Sequence, residues 1–296
     1  MNIRYLLIVV LGLIWVLVGI IVSEARQRQC PVKLFYCLGS FFAAVLLALI
    51  AGTDVLRQLF SPAYRTAILC LVGGSVLNGT GQALCMSNLK QGGRALAYAI
   101  PQQAFLFSYF WSIFFWKQHV SVLSVTGILL ILFSVFYLSV CKSGSVSTTL
   151  PPRRILQALL SMAVLGASQI LVGTSSQLEN GAVPHPLAGA FIILLANGIF
   201  FLGLCLIERT GLKHLGRTAC MAALWSLCAL GTYSILLPAI ALLARIGRAG
   251  IVFPVGIGIM LLFYSMFTSI RYKEKMNARQ KLAFLGLVGG IVAAGL

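Results

Sequence analysis

The sequence predicts an all-α polytopic membrane protein, with about ten transmembrane helices in two inverted five-helix repeats. Three observations lead there: too few charges for a surface facing water, a series of apolar runs of spanning length, and matching marks in the two halves of the chain.

Of the 296 residues, 60% are hydrophobic and 9% charged, and the mean hydropathy is +1.00. A soluble domain carries roughly 25% charged residues because water must solvate its surface. The expected solvent for most of this surface is therefore lipid. The formal net charge of +17 would suggest nucleic acid in a soluble protein. Here the basic residues fall almost entirely between apolar runs, where they set topology and meet lipid headgroups, so nucleic acid is not an expected partner.

The apolar runs are 5–22, 34–51, 67–89, 95–115, 120–140, 155–175, 187–207, 219–244, 250–270 and 282–296. A spanning helix needs roughly 20 apolar residues, so ten of them use about 200 and leave about 96 for short connections. The first run, near 18 residues, exceeds the 7–15 of a signal sequence and is read as a spanning helix. The last run is short and reaches both interfaces by snorkelling or local bilayer thinning.

The longest polar connection is rich in Ser, Thr and Pro and lies near the middle of the chain. It divides one membrane domain into a first five-helix repeat (1–141), a connecting loop (142–154) and a second repeat (155–296). Pro101 and Pro254 fall near the middle of the fourth and ninth runs. A basic loop precedes each, with Lys90 and Arg94 in one half and Arg245 and Arg248 in the other. A polar break and a final helix follow each. Gln118 and Gly127 share a spacing of nine with Glu274 and Ala283, and Ser134 and Gly290 lie seven further on. An odd number of helices per repeat inserts the second copy upside down. Inverted repeats give two interconvertible arrangements around a midplane site, a physical route to alternating access.

These residues resemble a known family. The stretch Arg94 to Pro101, then Trp116, Lys117, Gln118, His119 and Gly127, is similar to the end of the first repeat of EamA-type transporters of the drug/metabolite transporter superfamily. The stretch Gly247 to Pro254, then Tyr272 to Lys275, Gln280 and Gly290, is similar to the end of the second. Trp15 stands where members often carry a tryptophan. The resemblance spans nearly the whole chain and implies a ten-helix inverted-repeat fold, a central cavity and transport of metabolites such as sugars or amino acids. The acid often found after the fourth helix is Gln118 here, while Glu274 keeps it in the second half. The resemblance implies a helix-capping role for that position.

Polar groups within spanning helices need partners and so face the bundle or a wet cavity. In the fourth run, Tyr98, Gln102, Phe105 and Tyr109 recur at helical spacing on one face, with Gln103 beside them. Pro101 removes a backbone donor and frees a carbonyl one turn earlier, which can open the helix toward a ligand. Asn78 and Gln82 share a face of the third run, and Gln169, Asn197, Trp225, Tyr233 and Tyr264 are the candidates in the second half. Amides donate and accept, and aromatic faces stack on sugar or heterocyclic rings. With Trp15, this set suits a neutral or zwitterionic polar organic solute. The bland alternative is that such amides bond only to neighbouring helices, at about 0.6 kcal/mol each.

The five acids, Glu24, Asp54, Glu179, Glu208 and Glu274, lie in or beside loops, which weighs against a proton-coupled symporter. The eight cysteines show no Cys-x-x-Cys and the three histidines are scattered, so neither metal nor cofactor is expected. No nucleophile–base cluster suggests an enzyme, and no filter loop or charged ring suggests a channel. Channel, structural membrane protein, and a carrier of an anionic metabolite using Arg94 and Arg248 remain the alternatives. Alternate loops place six cations on one side (Arg4, Arg57, Arg65, Lys117, Arg245, Arg248) and sixteen on the other. Short Lys/Arg-rich loops stay cytoplasmic, so both termini are expected to face away from the cytoplasm of a cell (inner) membrane.

Overall fold

The structure, a computed structural model, describes residues 3–89, 100–118, 120–141, 152–178, 183–212, 214–271 and 278–295. Among them are ten α-helices and no strand. They are α1 (Ile3–Gln27), α2 (Val32–Arg57), α3 (Arg65–Leu89), α4 (Phe105–Phe114), α5 (Val122–Cys141), α6 (Pro152–Ser175), α7 (Pro186–Ile207), α8 (Leu215–Ala244), α9 (Val252–Arg271) and α10 (Ala278–Gly295). Each follows an apolar run, because a backbone in lipid must satisfy its own hydrogen bonds and a helix does so within one segment.

Seven helical spans among the described residues are long and apolar enough to cross a membrane. α5 and α10 carry shorter apolar stretches, 122–137 and 281–294. Large side chains face outward around the bundle, with Leu49, Ile50, Phe133, Ile199 and Leu285 all more than half exposed. The chain has the make-up of a helical membrane protein, whose outer surface is apolar because its solvent is.

Several boundaries differ from the apolar runs for identifiable reasons. α1 continues to Gln27, five residues past its run, and closes with a left-handed Gln29. There the Cys30 amide bonds the Ala25 carbonyl at 2.9 Å, the six-to-one bond of a Schellman stop. α2 leaves helical geometry at Gly52 (φ 73°, ψ 171°), one residue after its run ends, and resumes as a polar turn to Arg57. Of the two marker prolines, Pro254 is not central, while the residues that precede Pro101 by more than one place lie outside the described ones. Pro101 lies in a helical stretch at residues 100–102, and Pro254 is the third residue of α9. A proline fits the first turn of a helix because the amide it lacks has no intrahelical acceptor there. Among the described residues, the proline inside a long helix is Pro238 of α8.

The order of packing matters more than the helices themselves. α2 packs on α7 and α8, α3 on α6 and α7, α1 on α8 and α9, α4 on α6 and α9, and α5 on α10. Small residues let these pairs approach closely. The Ser168 and Ser161 hydroxyls of α6 donate to the Gly74 and Gly81 carbonyls of α3 at 2.6 and 2.8 Å, and Ser75 donates to the Ile193 carbonyl of α7 at 2.6 Å. A Cβ on Gly127 of α5 would meet the Ala294 nitrogen of α10 at 2.4 Å, so only glycine allows that crossing.

Two apolar clusters fill the interior. One joins the first half of α1 to α4, α5, α9, α10 and the last turns of α8, with Leu71 of α3, Val172 of α6 and Ile193 of α7; the other joins the end of α1 to α2, α7 and the first half of α8. Tyr233 packs against both. Contacts between loops fix which connections share an end of the bundle. Arg248 bonds Tyr5, Gln58 bonds His185 and Gln118 bonds Gly250 at one end. At the other, Lys33 pairs with Glu208, Arg217 reaches the Arg28 carbonyl and Gln157 reaches Ser87.

Candidate functional site

The fourth apolar run is broken as its proline suggested. After the helical stretch at 100–102 the ladder tightens: Gln103, Ala104, Leu106 and Phe107 each bond the carbonyl three residues back. Regular helix resumes at Phe105. The break changes the phase of the helix, so the face drawn through Gln102, Phe105 and Tyr109 does not run straight. Gln102 is half-buried, while Gln103 is buried, and neither end of its side-chain amide has a partner. Leaving a buried amide unpaired costs on the order of 1–3 kcal/mol per group, a debt that a ligand or water would relieve. Tyr98 lies outside the described residues, as do Arg94 and Glu274.

Below the break, Phe105 and Tyr109 are buried as expected. The Ser108 hydroxyl lies 3.0 Å from the Phe105 carbonyl and 3.1 Å from Oε1 of Gln169 on α6, so that amide is joined to α4. One helix pair away, Trp15 of α1 lies over Gly256 of α9, and half-buried Tyr264 of α9 edges against Gly19. These two pairings match. Gly12 of α1 sits under Ile259 of α9, Gly166 of α6 sits under Phe107 of α4, and Trp15 and Gln169 each follow their glycine by three residues.

Trp225 and Tyr233 lie in the other cluster. Trp225 of α8 sits over Gly39 of α2 and packs edge-to-face on Phe35 and Tyr36, with its indole N–H unpartnered. Tyr36 also stacks on Phe201, and Tyr233 packs against the same cluster. Thr232, buried on α8, has an unpartnered hydroxyl, as does Ser234 one turn before Pro238. Asn197 is differently employed. Its amide nitrogen donates to the Ser40 hydroxyl at 2.9 Å across the α2–α7 contact, and its carbonyl faces Gly79 of α3. That is a helix-to-helix bond at a tight three-helix junction. Asn78 and Gln82 are half-buried on α3.

The structure thus joins Gln169 to the α4 segment and gathers Trp225 and Tyr233 with a residue the sequence reading passed over, Tyr36. Its signal, a tyrosine near the start of a mostly apolar run, was present but indistinct. Thr232 and Ser234 are short polar residues that any spanning helix tolerates, so nothing in the sequence marked them.

The ionic groups stay at the ends of the bundle. Arg28 pairs with Glu24 at 3.6 Å, Arg57 with Asp54 at 3.5 Å, and Lys33 with Glu208. Gln118 accepts the Gly250 amide at 2.8 Å just ahead of α9, a capping contact from the first half of the chain to the second. Arg248 donates to the Tyr5 hydroxyl at 3.0 Å.

No known protein-family profile matches the chain, and no curated protein matches it. Solved structures do share its fold. One crystal structure of a protein superposes on 97% of this chain and 96% of its own with a TM-score of 0.69, at 16% sequence identity. At that identity the likeness is one of fold.

Proposed function

We propose that the chain is an alternating-access transporter of a small polar organic solute, neutral or zwitterionic, built from ten spans in two inverted repeats like those of the EamA-type family it resembles. One observation carries the reading: nine of the packed helix pairs map onto one another when every helix is advanced by five, although α7–α8 and α9–α10 have no such counterpart. The α3–α6 pair becomes α8–α1, α2–α8 becomes α7–α3, and α1–α9 becomes α6–α4, while α2–α7, α5–α10 and α4–α9 return to themselves. A chain whose halves pair this way has two related packings available, which is the mechanical requirement for exposing one site to either side. The matched glycine notches under Ile259 and Phe107 support the same correspondence. On this reading Pro101 and Pro254 are partners on opposite sides of the midplane rather than neighbours at it.

The buried, unpartnered groups of Gln103, Trp225 and Thr232 support a polar solute: they offer donors and acceptors without fixed charge. Uncharged hydrogen-bonding groups of this kind, with aromatic rings packed around Trp225, suit sugars, amino acids or similar solutes.

The test begins with a thermal-shift screen of metabolites on purified protein, followed by uptake of the best ligand into proteoliposomes. Gln103→Ala should weaken that ligand by about 1–3 kcal/mol, roughly 5- to 150-fold, with the unliganded melting temperature kept. Undiminished binding and uptake in that variant would move the site away from the α4 break. Steady ionic current in planar bilayers, without saturable solute uptake, would replace the carrier by a channel.

A further inference from the structure

The turn between α7 and α8 holds an arginine in a strained backbone conformation. α7 ends in a Schellman stop, in which the Thr210 amide bonds the Cys205 carbonyl at 2.9 Å and the Arg209 amide bonds the Leu206 carbonyl at 3.3 Å. The left-handed residue of that stop is Arg209, at φ 46°. Glycine is the usual occupant of this position, because a Cβ there crowds its own backbone. The turn alone therefore does not account for the arginine. Its side chain is exposed, and no hydrogen bond or ion pair among the described residues engages it. The neighbouring Glu208 is taken by Lys33 of α2. Across the turn, Arg217 is the third residue of α8 and is also exposed. Its contact is with the Arg28 carbonyl at 3.5 Å, beyond the usual range of an N–H···O bond, and a guanidinium carries five N–H donors.

The two arginines stand at the head of an apolar surface. On α7, Ile199, Leu202 and Leu206 are exposed at helical spacing, and Arg209 follows three residues later. On α8, Leu227 and Leu224 are exposed on the same side as Arg217, two turns further toward the connection. A Cβ on Gly203, beside Leu202, would meet nothing within 4 Å, so the outer surface is indented there. α7 and α8 pack on each other, whereas α2 and α3, their counterparts five places back, are not among the packed pairs of the described residues. The feature therefore belongs to the second half of the chain.

Two guanidinium groups on adjacent helices, set where apolar stripes meet the helix ends, complement an anion that carries acyl chains. Guanidinium meets phosphate oxygens through paired donors, which makes arginine the suited residue for such a headgroup. A zwitterionic lipid would bring a cation of its own to a cationic place. A free phosphate would leave the apolar indentation unused. We propose that the α7–α8 hairpin binds an anionic phospholipid, its phosphate held by Arg209 and Arg217 and an acyl chain lying along the indentation at Gly203. The strain at Arg209 is then offset by the ion pair with the lipid. The bound lipid clamps α7 to α8 at their connected ends.

The test uses the purified full chain in detergent micelles, melted with added phosphatidylglycerol or with phosphatidylcholine of the same acyl chains. Phosphatidylglycerol should raise the melting temperature saturably, on the order of 3 °C at tenfold excess over its Kd, and phosphatidylcholine should not. Arg209→Gly suits the left-handed turn, so it should melt no lower than the parent without lipid, yet need about tenfold more phosphatidylglycerol for the same rise. Arg217→Gln should weaken the lipid in the same way and serves if the first variant does not fold. Arg153→Gln removes one exposed cation from the start of α6, at the same end of the bundle, and should leave the rise unchanged. Soluble glycerol phosphate, which lacks the chains, should give no rise. An equal rise with phosphatidylcholine or with glycerol phosphate would overturn the assignment. So would an undiminished response in both Arg209→Gly and Arg217→Gln, an equal loss in Arg153→Gln, or lower lipid-free melting of Arg209→Gly. These measurements read lipid binding and involve no solute transport, so they stand or fall apart from the carrier reading.

Discussion

Replacing Gly127 with Ala should weaken the protein, although alanine is the better helix former. A Cβ at Gly127 of α5 would lie 2.4 Å from the Ala294 nitrogen, 2.7 Å from the Gly290 oxygen and 2.8 Å from the Ala293 carbonyl carbon. All three are backbone atoms of α10, so no rotamer change relieves them. Restoring a contact near 3.5 Å requires α10 to retreat by roughly 1 Å, and a gap of that size forfeits a quarter to a half of each dispersion contact along the seam. Overpacking of this kind costs about 1–3 kcal/mol, and backbone on backbone belongs at the upper end. Alanine returns up to about 1 kcal/mol in helix propensity, so the net loss is about 2 kcal/mol. Gly289 is the control: it is on the same helix α10, and a Cβ there meets nothing within 4 Å. Gly289→Ala should be neutral or stabilising by up to about 1 kcal/mol. Reversible unfolding of the full chain in mixed micelles titrated with denaturing detergent measures both. Equal stability of the two variants would refute the close crossing of α5 and α10.

Two further expectations follow from other parts of the bundle. Ser40→Ala removes the acceptor of the Asn197 amide at the α2–α7 contact and should cost about 0.6–1.7 kcal/mol in the same unfolding measurement; an unchanged midpoint would mean that the bond carries no weight. For orientation, single cysteines at Gly211 and Asp54, each exposed and at opposite ends of the bundle, are placed in protein lacking the eight native cysteines. An impermeant thiol reagent applied to intact cells should label position 54 and spare 211, and the reverse pattern would place the termini in the cytoplasm.

How much of this was legible in the sequence follows from what the solvent demands. The run at 187–207 and α7, Pro186–Ile207, agree almost to the residue because Pro186 opens the helix and Glu208 closes it at the two edges of the apolar stretch. Where helices run on past the apolar stretch, as α1 does through Glu24 and Arg26, hydropathy gave the wrong end because a polar turn is still a helix. Pro254 was read as central although it stands only four residues after the start of its run at Gly250, where a proline fits the first turn of a helix. The burial of Asn197 and Trp225 was expected from their type. Their partners, Ser40 and the notch at Gly39, were not, since they depend on α2 crossing α7 and α8 far along the chain. Gln118 was singled out through family resemblance, but its contact with the Gly250 amide joins residues far apart in the chain and could not be read from the sequence.

The pairing of helices also bears on why charge must decide orientation. On the two-repeat reading, turning the bundle over exchanges each helix for its partner five places on, so packing alone gives the membrane little to tell one end from the other. Only features that break the correspondence can choose. The corners at Gln58 with His185 and at Arg28 with Arg217 lie at opposite ends and place the alternate loops accordingly. That arrangement puts Arg57, Arg65, Lys117, Arg245 and Arg248 at one end, and Arg26, Lys33, Arg153, Arg154, Arg209 and Arg217 among those at the other. Read along the sequence by alternate loops, the cations divide six against sixteen, an asymmetry that breaks the correspondence. Cations are costly to move outward against the membrane potential, at about 2.3 kcal/mol per charge per 100 mV, so an excess of ten far outweighs any difference in packing between the two ends. The sixteen-cation end is therefore expected on the cytoplasmic side, and label at position 211 rather than 54 in intact cells would reverse that expectation.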